Sequence, residues 1–148
     1  QNQLDLTELR RRVERDGINR SKIQILEALA RNVPVASASN VDVVCYTSVF
    51  GRIPRAKAML AVHSDSMTIG RRKGDDDYFE TLLAYVNKKL ESDVRFEDCV
   101  FIDDVPDYVG AAKVLGMRGI WYAEVSDASN RQLKDDLLMH GVPAAWLS

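Results

Sequence analysis

The sequence lacks the long apolar runs, the cysteine pattern and the single-sign charge that would assign it to several large classes of protein. No stretch approaches the roughly 18 apolar residues of a membrane span, and no signal-peptide pattern opens the chain. Its two cysteines, Cys45 and Cys99, lie in apolar contexts that favour buried thiols over a disulfide or a metal site. A net charge of -2 gives no excess of basic residues for nucleic acid or an anionic membrane. We therefore expect a soluble intracellular protein, in the cytoplasm or an organelle matrix.

The chain is long enough for one domain with its own core. At 148 residues, folding can bury roughly 70% of the surface that the unfolded chain exposes, so no disulfide or metal is needed to stabilise it. Because the chain begins at Gln1 and not at a methionine, we expect it to be part of something longer. Residues 1–18 are predicted to form a helical segment that ends at Gly17, since Leu6, Leu9 and Val13 recur at helical spacing.

Short apolar segments alternate with helix-period segments along the rest of the chain. Strands are predicted at 33–36, 59–62, 99–102 and 119–122, and helices at 41–50, 76–90, 108–115 and 129–140. A further helix is predicted after Ser21 as its N-cap, with Ile25, Leu26 and Leu29 on one face. This alternation is typical of βαβ units, which form a parallel sheet covered by helices on both faces. The predicted fold class is therefore α/β.

Three polar sites lie where predicted strands end or a helix begins. Ser37 follows the first strand, Lys73 precedes the long helix, and Asp103 and Asp104 follow the third strand. A serine hydroxyl can bind phosphoryl oxygens, a lysine can neutralise their charge, and adjacent carboxylates are ligands that Mg²⁺ accepts. Together they predict a phosphate site at the carboxyl ends of the strands. Singly, each also has a structural interpretation, as a capping serine, a surface lysine or a solvated acidic pair.

The other polar and aromatic candidates have structural interpretations. His63 and His140 are isolated and lack metal-ligand spacing, so we expect structural or surface roles for both. Trp121 and Trp146 are expected to be core or interface aromatics.

Residues 101–122 contain the most specific pattern. An acidic pair at a strand end is followed by the helical run Ala-Ala-Lys-Val-Leu-Gly-Met and by a further apolar strand. This arrangement resembles the fourth motif of haloacid dehalogenase-like hydrolases and the segment after it, where an acidic pair holds Mg²⁺. The resemblance implies that Asp103 and Asp104 are metal ligands.

Two earlier segments are similar to the second and third motifs of that family. Val-Ala-Ser-Ala-Ser-Asn resembles the second motif of phosphoglucomutase-like members, whose serine or threonine contacts the phosphoryl group. Ser37 takes that role, with Ala38 and Ser39 in the phosphate-binding turn. Residues 64–79 resemble the third-motif region, whose lysine, here Lys73, stabilises the nucleophile and the transferring phosphoryl group. The prolines of the family's usual Lys-Pro-x-Pro are missing.

The family's first motif is not found. That motif is an apolar strand ending in Asp-x-Asp-x-Thr/Val, whose first aspartate attacks phosphorus and whose second is the general acid and base. Only Asp75 and Asp77 have the i, i+2 spacing, and Gly-Arg-Arg-Lys-Gly before them is not an apolar strand. Asp65 follows an apolar stretch but lacks the second aspartate. No residue of the sequence is therefore assigned as nucleophile.

The resemblance implies a Rossmann-like three-layer sandwich with a mostly parallel sheet, whose central first strand is absent from this chain. Residues 1–18 are then the remnant of a cap domain or a linker, and residues 19–148 the α/β core. The strands at 33–36 and 99–102 would be left as hydrophobic edges, which proteins generally avoid. Either an upstream segment or a partner chain supplies a strand, or these two strands pair directly in an altered sheet.

Two functions remain open at this point. The first is a Mg²⁺-dependent phosphohydrolase acting on a small phosphorylated substrate, inactive alone because its nucleophile lies upstream or on another chain. The second is a non-catalytic structural or binding subunit of a larger complex. A third interpretation, a response-regulator-like receiver, places its acidic pair near the start of the domain, whereas Asp103 and Asp104 lie two thirds of the way along. No nucleic-acid or membrane partner is predicted.

Overall fold

A computed structural model describes residues 20–39, 60–123 and 126–148 of the chain. The helices and strands, in chain order, are α1 (Arg20–Ala30), β1 (Ala36–Ser39), β2 (Val62–Asp65), α2 (Ser66–Ile69), α3 (Tyr78–Leu90), β3 (Val100–Asp103), α4 (Pro106–Val114), β4 (Arg118–Trp121) and α5 (Asp127–Met139). Short 3₁₀ turns span Phe96–Asp98 and Ala144–Leu147. The segment 1–18, the helix predicted at 41–50 and Cys45 lie outside the described residues.

The long helices follow the hydrophobic periodicity of the sequence. In α3 the buried Phe79 and Leu82 lie on one side, as predicted, and two lysines in its last turn interact favourably with the helix dipole. Helix α5 begins after Ser126, whose side chain accepts a hydrogen bond from the backbone N–H of Ser129. It ends before Gly141, which adopts a positive φ of 88°. These helices are confirmed within two residues of their predicted ends.

The strands form two parallel pairs. Strand β1 pairs with β2, with Ala36 opposite Val62, and β3 pairs with β4, with Asp103 opposite Trp121. The predicted positions of β3 and β4 are correct within one residue, whereas β1 and β2 begin three residues later than predicted. The apolar stretches gave the wrong limits for β1 and β2, because the backbone pairing of both strands extends into the polar residues at their carboxyl ends.

Two hydrophobic clusters cover the strands, one on each face. The α1/α5 cluster consists of Ile25, Leu29, Ile120, Tyr122, Leu133, Leu137 and Leu147. The α3/α4 cluster consists of Tyr78, Phe79, Leu82, Phe101, Val109, Ala112 and Met117. Strand β3 contributes to both, since Val100 and Ile102 pack on the α1/α5 cluster while Phe101 belongs to the other. The described part of the chain is thus a mixed α/β fold with helices on both faces of short parallel strands.

The two strand pairs lie between the same two helical layers but do not join. Val35, next to β1, and Ile102 of β3 both pack against the α1/α5 cluster, and Ala38 packs against the α3/α4 cluster, which contains Phe101. Nevertheless, within the described residues no strand pairing links β1 to β3. The direct closure of these two strands, one of the alternatives considered above, is therefore not seen in this part of the chain.

Gly119 allows α4 to pack closely against β4. A Cβ atom at Gly119 would lie 2.8 Å from Cγ1 of Val109 and 2.9 Å from Cγ of Lys113. We expect Gly119→Ala to lower the free energy of unfolding by about 1–3 kcal/mol through overpacking. Gly110→Ala, on the exposed side of α4 with no atom within 4 Å, is the matched control and is expected to raise it by about 0.5–1 kcal/mol. Urea unfolding of both variants measures this, and equal effects would contradict the close approach.

None of the helices in residues 20–39, 60–123 and 126–148 is both long and apolar enough to cross a membrane.

Candidate functional site

A buried ion pair joins the loop before α3 to the end of β3. Lys73 Nζ lies 2.6 Å from Asp103 Oδ2, and the two side chains are only 12% and 4% exposed. The residues are thirty positions apart in sequence, so the contact is made by the fold and not by local chain geometry. A lysine and an aspartate are rarely buried unless they are paired, and each supplies the countercharge of the other. The structure thus brings together two of the residues that the sequence assigned to one site.

Asp103 is held as a carboxylate by its surroundings. Burial alone would raise the pKa of Asp103, but the hydrogen bond from Lys73 and a 2.9 Å hydrogen bond from the backbone N–H of Val105 to Oδ1 lower it. The net effect is a pKa below the usual range of an aspartate. The charged form of Asp103, which a metal or an ammonium group requires, is therefore present at neutral pH.

Asp104 and Tyr108 complete the surroundings of the ion pair on the side of α4. Asp104 is exposed to solvent, and its backbone oxygen accepts a 3.0 Å hydrogen bond from Nε1 of Trp121. The ring centroid of Tyr108 lies 5.4 Å from Lys73 Nζ, within the range of a cation–π interaction. One carboxylate of the acidic pair is therefore buried against a cation, while the other remains available to a ligand in solvent.

Ser37 lies within β1, with Ala38 and Ser39 after it in the same strand, and not in a turn after the strand as predicted. The reason is that the backbone of these three residues pairs with β2. The Ser37 hydroxyl oxygen accepts a 3.0 Å hydrogen bond from the backbone N–H of Ser64, and the hydroxyl is 3.5 Å from the Ser64 carbonyl oxygen, to which it donates. The second distance is long for an O–H donor, so the hydroxyl hydrogen can turn toward a better acceptor such as a phosphoryl oxygen. Ala38 packs on the α3/α4 cluster, and Ser39, the last residue of β1, is the register partner of Asp65.

Asp65 was not assigned to the site from the sequence, although it ends β2 in a buried position. Its Oδ1 accepts hydrogen bonds from the backbone N–H groups of Met67 and Thr68, and its Oδ2 accepts one from the Thr68 hydroxyl. Asp65 therefore caps the short helix α2. The signal in the sequence was an aspartate three positions before a threonine, a spacing typical of N-caps.

Two hydroxyl groups are buried near these carboxylates without a hydrogen-bond partner among the described residues. Ser64 is 0% exposed and Tyr78 is 1% exposed. Neither Oγ of Ser64 nor the phenolic oxygen of Tyr78 has a hydrogen-bond partner among the described residues. Burial raises the pKa of Tyr78, and the negative charges of Asp103 and Asp65 raise it further. The phenol is therefore neutral at any physiological pH, and it keeps a hydrogen available for donation.

The Tyr78→Phe variant, which lacks the hydroxyl, is expected to be as stable as the wild type or to have a free energy of unfolding higher by about 1 kcal/mol. The reason is that burying a hydroxyl without a hydrogen-bond partner costs desolvation free energy. Tyr122→Phe is the matched comparison, since the Tyr122 hydroxyl donates a 2.8 Å hydrogen bond to the buried Asn130 Oδ1. That variant is expected to lose about 1–3 kcal/mol. Thermal unfolding of Tyr78→Phe and Tyr122→Phe distinguishes the two hydroxyls. A clear destabilisation by Tyr78→Phe would mean that its hydroxyl has a partner such as an ordered water.

Cys99 is a structural thiol rather than a nucleophile. It is half-buried against the α3/α4 cluster, and its Sγ donates a 3.3 Å hydrogen bond to the Arg95 carbonyl oxygen. Burial raises the pKa of Cys99, and Asp98 and Glu97 raise it further. The thiol therefore stays protonated at neutral pH. The sequence predicted a buried core thiol, whereas Cys99 is only half-buried at the edge of the cluster.

The end of β3 offers a metal at most the two carboxylates of Asp103 and Asp104. Among the described residues no group of three or more histidine, cysteine, aspartate or glutamate side chains is arranged to hold a metal ion. Mg²⁺ commonly takes only one or two protein carboxylates, with water and substrate oxygens completing its coordination. Asp103 and Asp104 could supply such a pair, and the exposure of Asp104 leaves room for the remaining ligands.

Comparison with known proteins gives no relative: no family model, no curated protein and no solved structure matches this chain.

Proposed function

We propose that this chain is the core segment of a haloacid dehalogenase-like, Mg²⁺-dependent phosphohydrolase that acts on a small phosphorylated substrate. The observation that carries the proposal is the 2.6 Å ion pair between Lys73 and Asp103. The resemblance requires two features at one site: a lysine from the loop before a helix, and an acidic pair at the end of a buried strand. Lys73 and Asp103 are these two features. Burying two charged side chains costs desolvation free energy, which a purely structural surface loop does not need. The buried pair therefore supports a site that binds a charged ligand.

The residues of the site have distinct proposed roles. Lys73 neutralises negative charge on the phosphoryl group, and the Ser37 hydroxyl and the backbone of Ala38 and Ser39 donate hydrogen bonds to its oxygens. Asp103 and Asp104 hold Mg²⁺, which when bound would supply further positive charge to the phosphoryl oxygens. Asp103 also orients Lys73 through their hydrogen bond. These roles rest on the resemblance together with the contact between Lys73 and Asp103 at the end of β3.

The fold supports the same proposal. Helices on both faces of parallel strands are compatible with a Rossmann-like three-layer sandwich. Among the described residues, β1 pairs only with β2 and β3 only with β4, which leaves room between β1 and β3 for a central first strand. We propose that an upstream segment or a partner chain supplies that strand, together with the nucleophilic aspartate. The chain alone is therefore expected to show no phosphatase turnover.

One observation favours the alternative of a non-catalytic subunit. Both carboxylate oxygens of Asp103 already accept hydrogen bonds from the protein, Oδ2 from Lys73 and Oδ1 from the Val105 N–H. A self-contained buried pair of this kind can serve to fix a loop without binding any ligand.

Calorimetric titration with Mg²⁺, in the presence of inorganic phosphate or vanadate, tests the proposal on the chain as it stands. Binding by the wild type is expected to weaken at least tenfold in Asp104→Asn, since an amide is a much poorer ligand of Mg²⁺ than a carboxylate. The control is Asp107→Asn, which changes an exposed acid in the first turn of α4 and is expected to bind as the wild type does. No binding at millimolar Mg²⁺ by a folded chain would exclude the phosphohydrolase proposal and leave the non-catalytic subunit.

A further inference from the structure

Trp121 is the largest exposed apolar side chain at the carboxyl ends of the strands. It is the last residue of β4 and is 56% exposed, although the sequence placed it in the core or an interface. An exposed leucine or valine on a protein surface requires no explanation, but a half-exposed indole at the rim of a candidate site does.

The indole is attached to the acidic loop rather than free to turn. Its Nε1–H donates a 3.0 Å hydrogen bond to the backbone oxygen of Asp104, so the polar edge of the ring is satisfied and the exposed part is apolar. Trp121 is also the register partner of Asp103, so their side chains leave the sheet on the same face. The indole is therefore fixed to the backbone of Asp104, on the same face of the sheet as the side chain of Asp103.

We propose that Trp121 is a specificity-determining residue that stacks against a planar aromatic group of the phosphorylated ligand. This inference rests on the proposed phosphoryl site, and it adds the substrate class, an aryl or heteroaryl phosphate. The phosphoryl group is held at Lys73 and the acidic pair, and the aromatic group lies against the indole, whose orientation is set before the ligand arrives. Such preorganisation reduces the entropy that binding costs.

The test compares phenylphosphonate, methylphosphonate and inorganic phosphate as ligands of the folded chain with Mg²⁺. The wild type is expected to bind phenylphosphonate roughly tenfold more tightly than methylphosphonate, as one aromatic stacking contact provides. Trp121→Leu keeps an apolar side chain but no ring, and it is expected to reduce the preference for phenylphosphonate over methylphosphonate to less than about twofold. Trp121→Phe is expected to restore most of the preference.

A spectroscopic readout locates the contact. The chain has only two tryptophans, so in Trp146→Phe the fluorescence comes from Trp121 alone, and phenylphosphonate is expected to change it more than methylphosphonate does. Equal binding of the two phosphonates, or a phenyl preference that survives in Trp121→Leu, would overturn the stacking role while inorganic phosphate still binds. If inorganic phosphate does not bind either, the phosphoryl site itself is wrong and the inference is overturned with it. The wild type could instead self-associate, show no preference for phenylphosphonate, and lose its self-association in Trp121→Leu. That result would overturn the stacking role and assign the ring to a contact between two copies of the chain.

Discussion

Replacing Lys73 by methionine is expected to lower the free energy of unfolding by about 3–5 kcal/mol, because it leaves Asp103 as a buried charge without its partner. Methionine keeps most of the apolar stem of the lysine, so little of this loss comes from packing. Replacing both partners, as in Lys73→Met with Asp103→Leu, is expected to recover much of the loss, since no buried charge then remains. Urea unfolding at pH 7 measures all three proteins.

The pH dependence of this effect has a defined sign. The folded-state pKa of Asp103 is lowered, so its contribution to stability is complete above the unfolded-state pKa of roughly 3.9 and is lost as the pH falls through the lower folded value. In Lys73→Met, burial without the lysine raises the pKa of Asp103, and protonation relieves the strain of the unpaired charge. The difference between wild type and variant is therefore largest near pH 7 and shrinks below about pH 4.

An exposed ion pair near the same loop provides the control. Arg71 Nε lies 2.9 Å from Asp77 Oδ1, and these side chains are 46% and 56% exposed. Arg71→Met is expected to change stability by no more than about 1 kcal/mol, because solvent screens the pair. If Lys73→Met costs as little as Arg71→Met at pH 7, the Lys73–Asp103 pair is not buried as described.

If the proposed function is correct, supplying the strand that the resemblance implies is expected to have the largest effect on activity. A peptide with an apolar strand ending in Asp-x-Asp, added in trans or fused upstream of Gln1, should pair with β1 and β3 and produce Mg²⁺-dependent phosphatase turnover where the chain alone has none. Each fully buried valine or isoleucine of that strand contributes about 1.5–3 kcal/mol, so the melting temperature should rise as well.

The matched peptide with asparagine in place of the first aspartate separates the two consequences. It is expected to raise the melting temperature as much as the aspartate peptide and to give no turnover, because it completes the sheet without the nucleophile. A peptide that neither binds nor stabilises the chain would contradict the proposal that a strand inserts between β1 and β3. Turnover by the chain alone, abolished by changing an aspartate other than Asp103 or Asp104, would contradict the assignment of a missing motif.

The sequence predicted the elements whose hydrophobic pattern was long or sharply bounded. Helix α3 has apolar residues along one side, and strand β3 is one short apolar run with clear boundaries. Both lie within two residues of their predicted positions. Strands β1 and β2 consist of Ala-Ser-Ala-Ser and Val-His-Ser-Asp, which carry little hydrophobic signal. Their limits are set by pairing with each other, which is a contact between distant residues that no local pattern contains.

The same distinction applies to the site. Lys73 and Asp103 could be assigned to one site because the residues around each resemble motifs of one family. In that family the two motifs lie together, so the resemblance predicts a contact between residues thirty positions apart. Asp65 and Tyr78 could not be assigned to the site, since one is indistinguishable from an ordinary N-cap and the other from an ordinary core aromatic until the strands are packed. For Trp121 the sequence left core and interface open, and the 56% exposure of its side chain excludes only the core. An apolar strand gives no indication of which of its residues projects beyond the helical layer.

Diffraction from crystals soaked with Mn²⁺ and tungstate would test the central claim most directly, since both report their positions by anomalous scattering and they stand in for Mg²⁺ and phosphate. We predict a manganese peak at the carboxylates of Asp103 and Asp104, with tungstate against Lys73 and the hydroxyl of Ser37. Manganese at the exposed acids of residues 75–77 alone, with no anion at Lys73, would contradict a phosphoryl site at the end of β3.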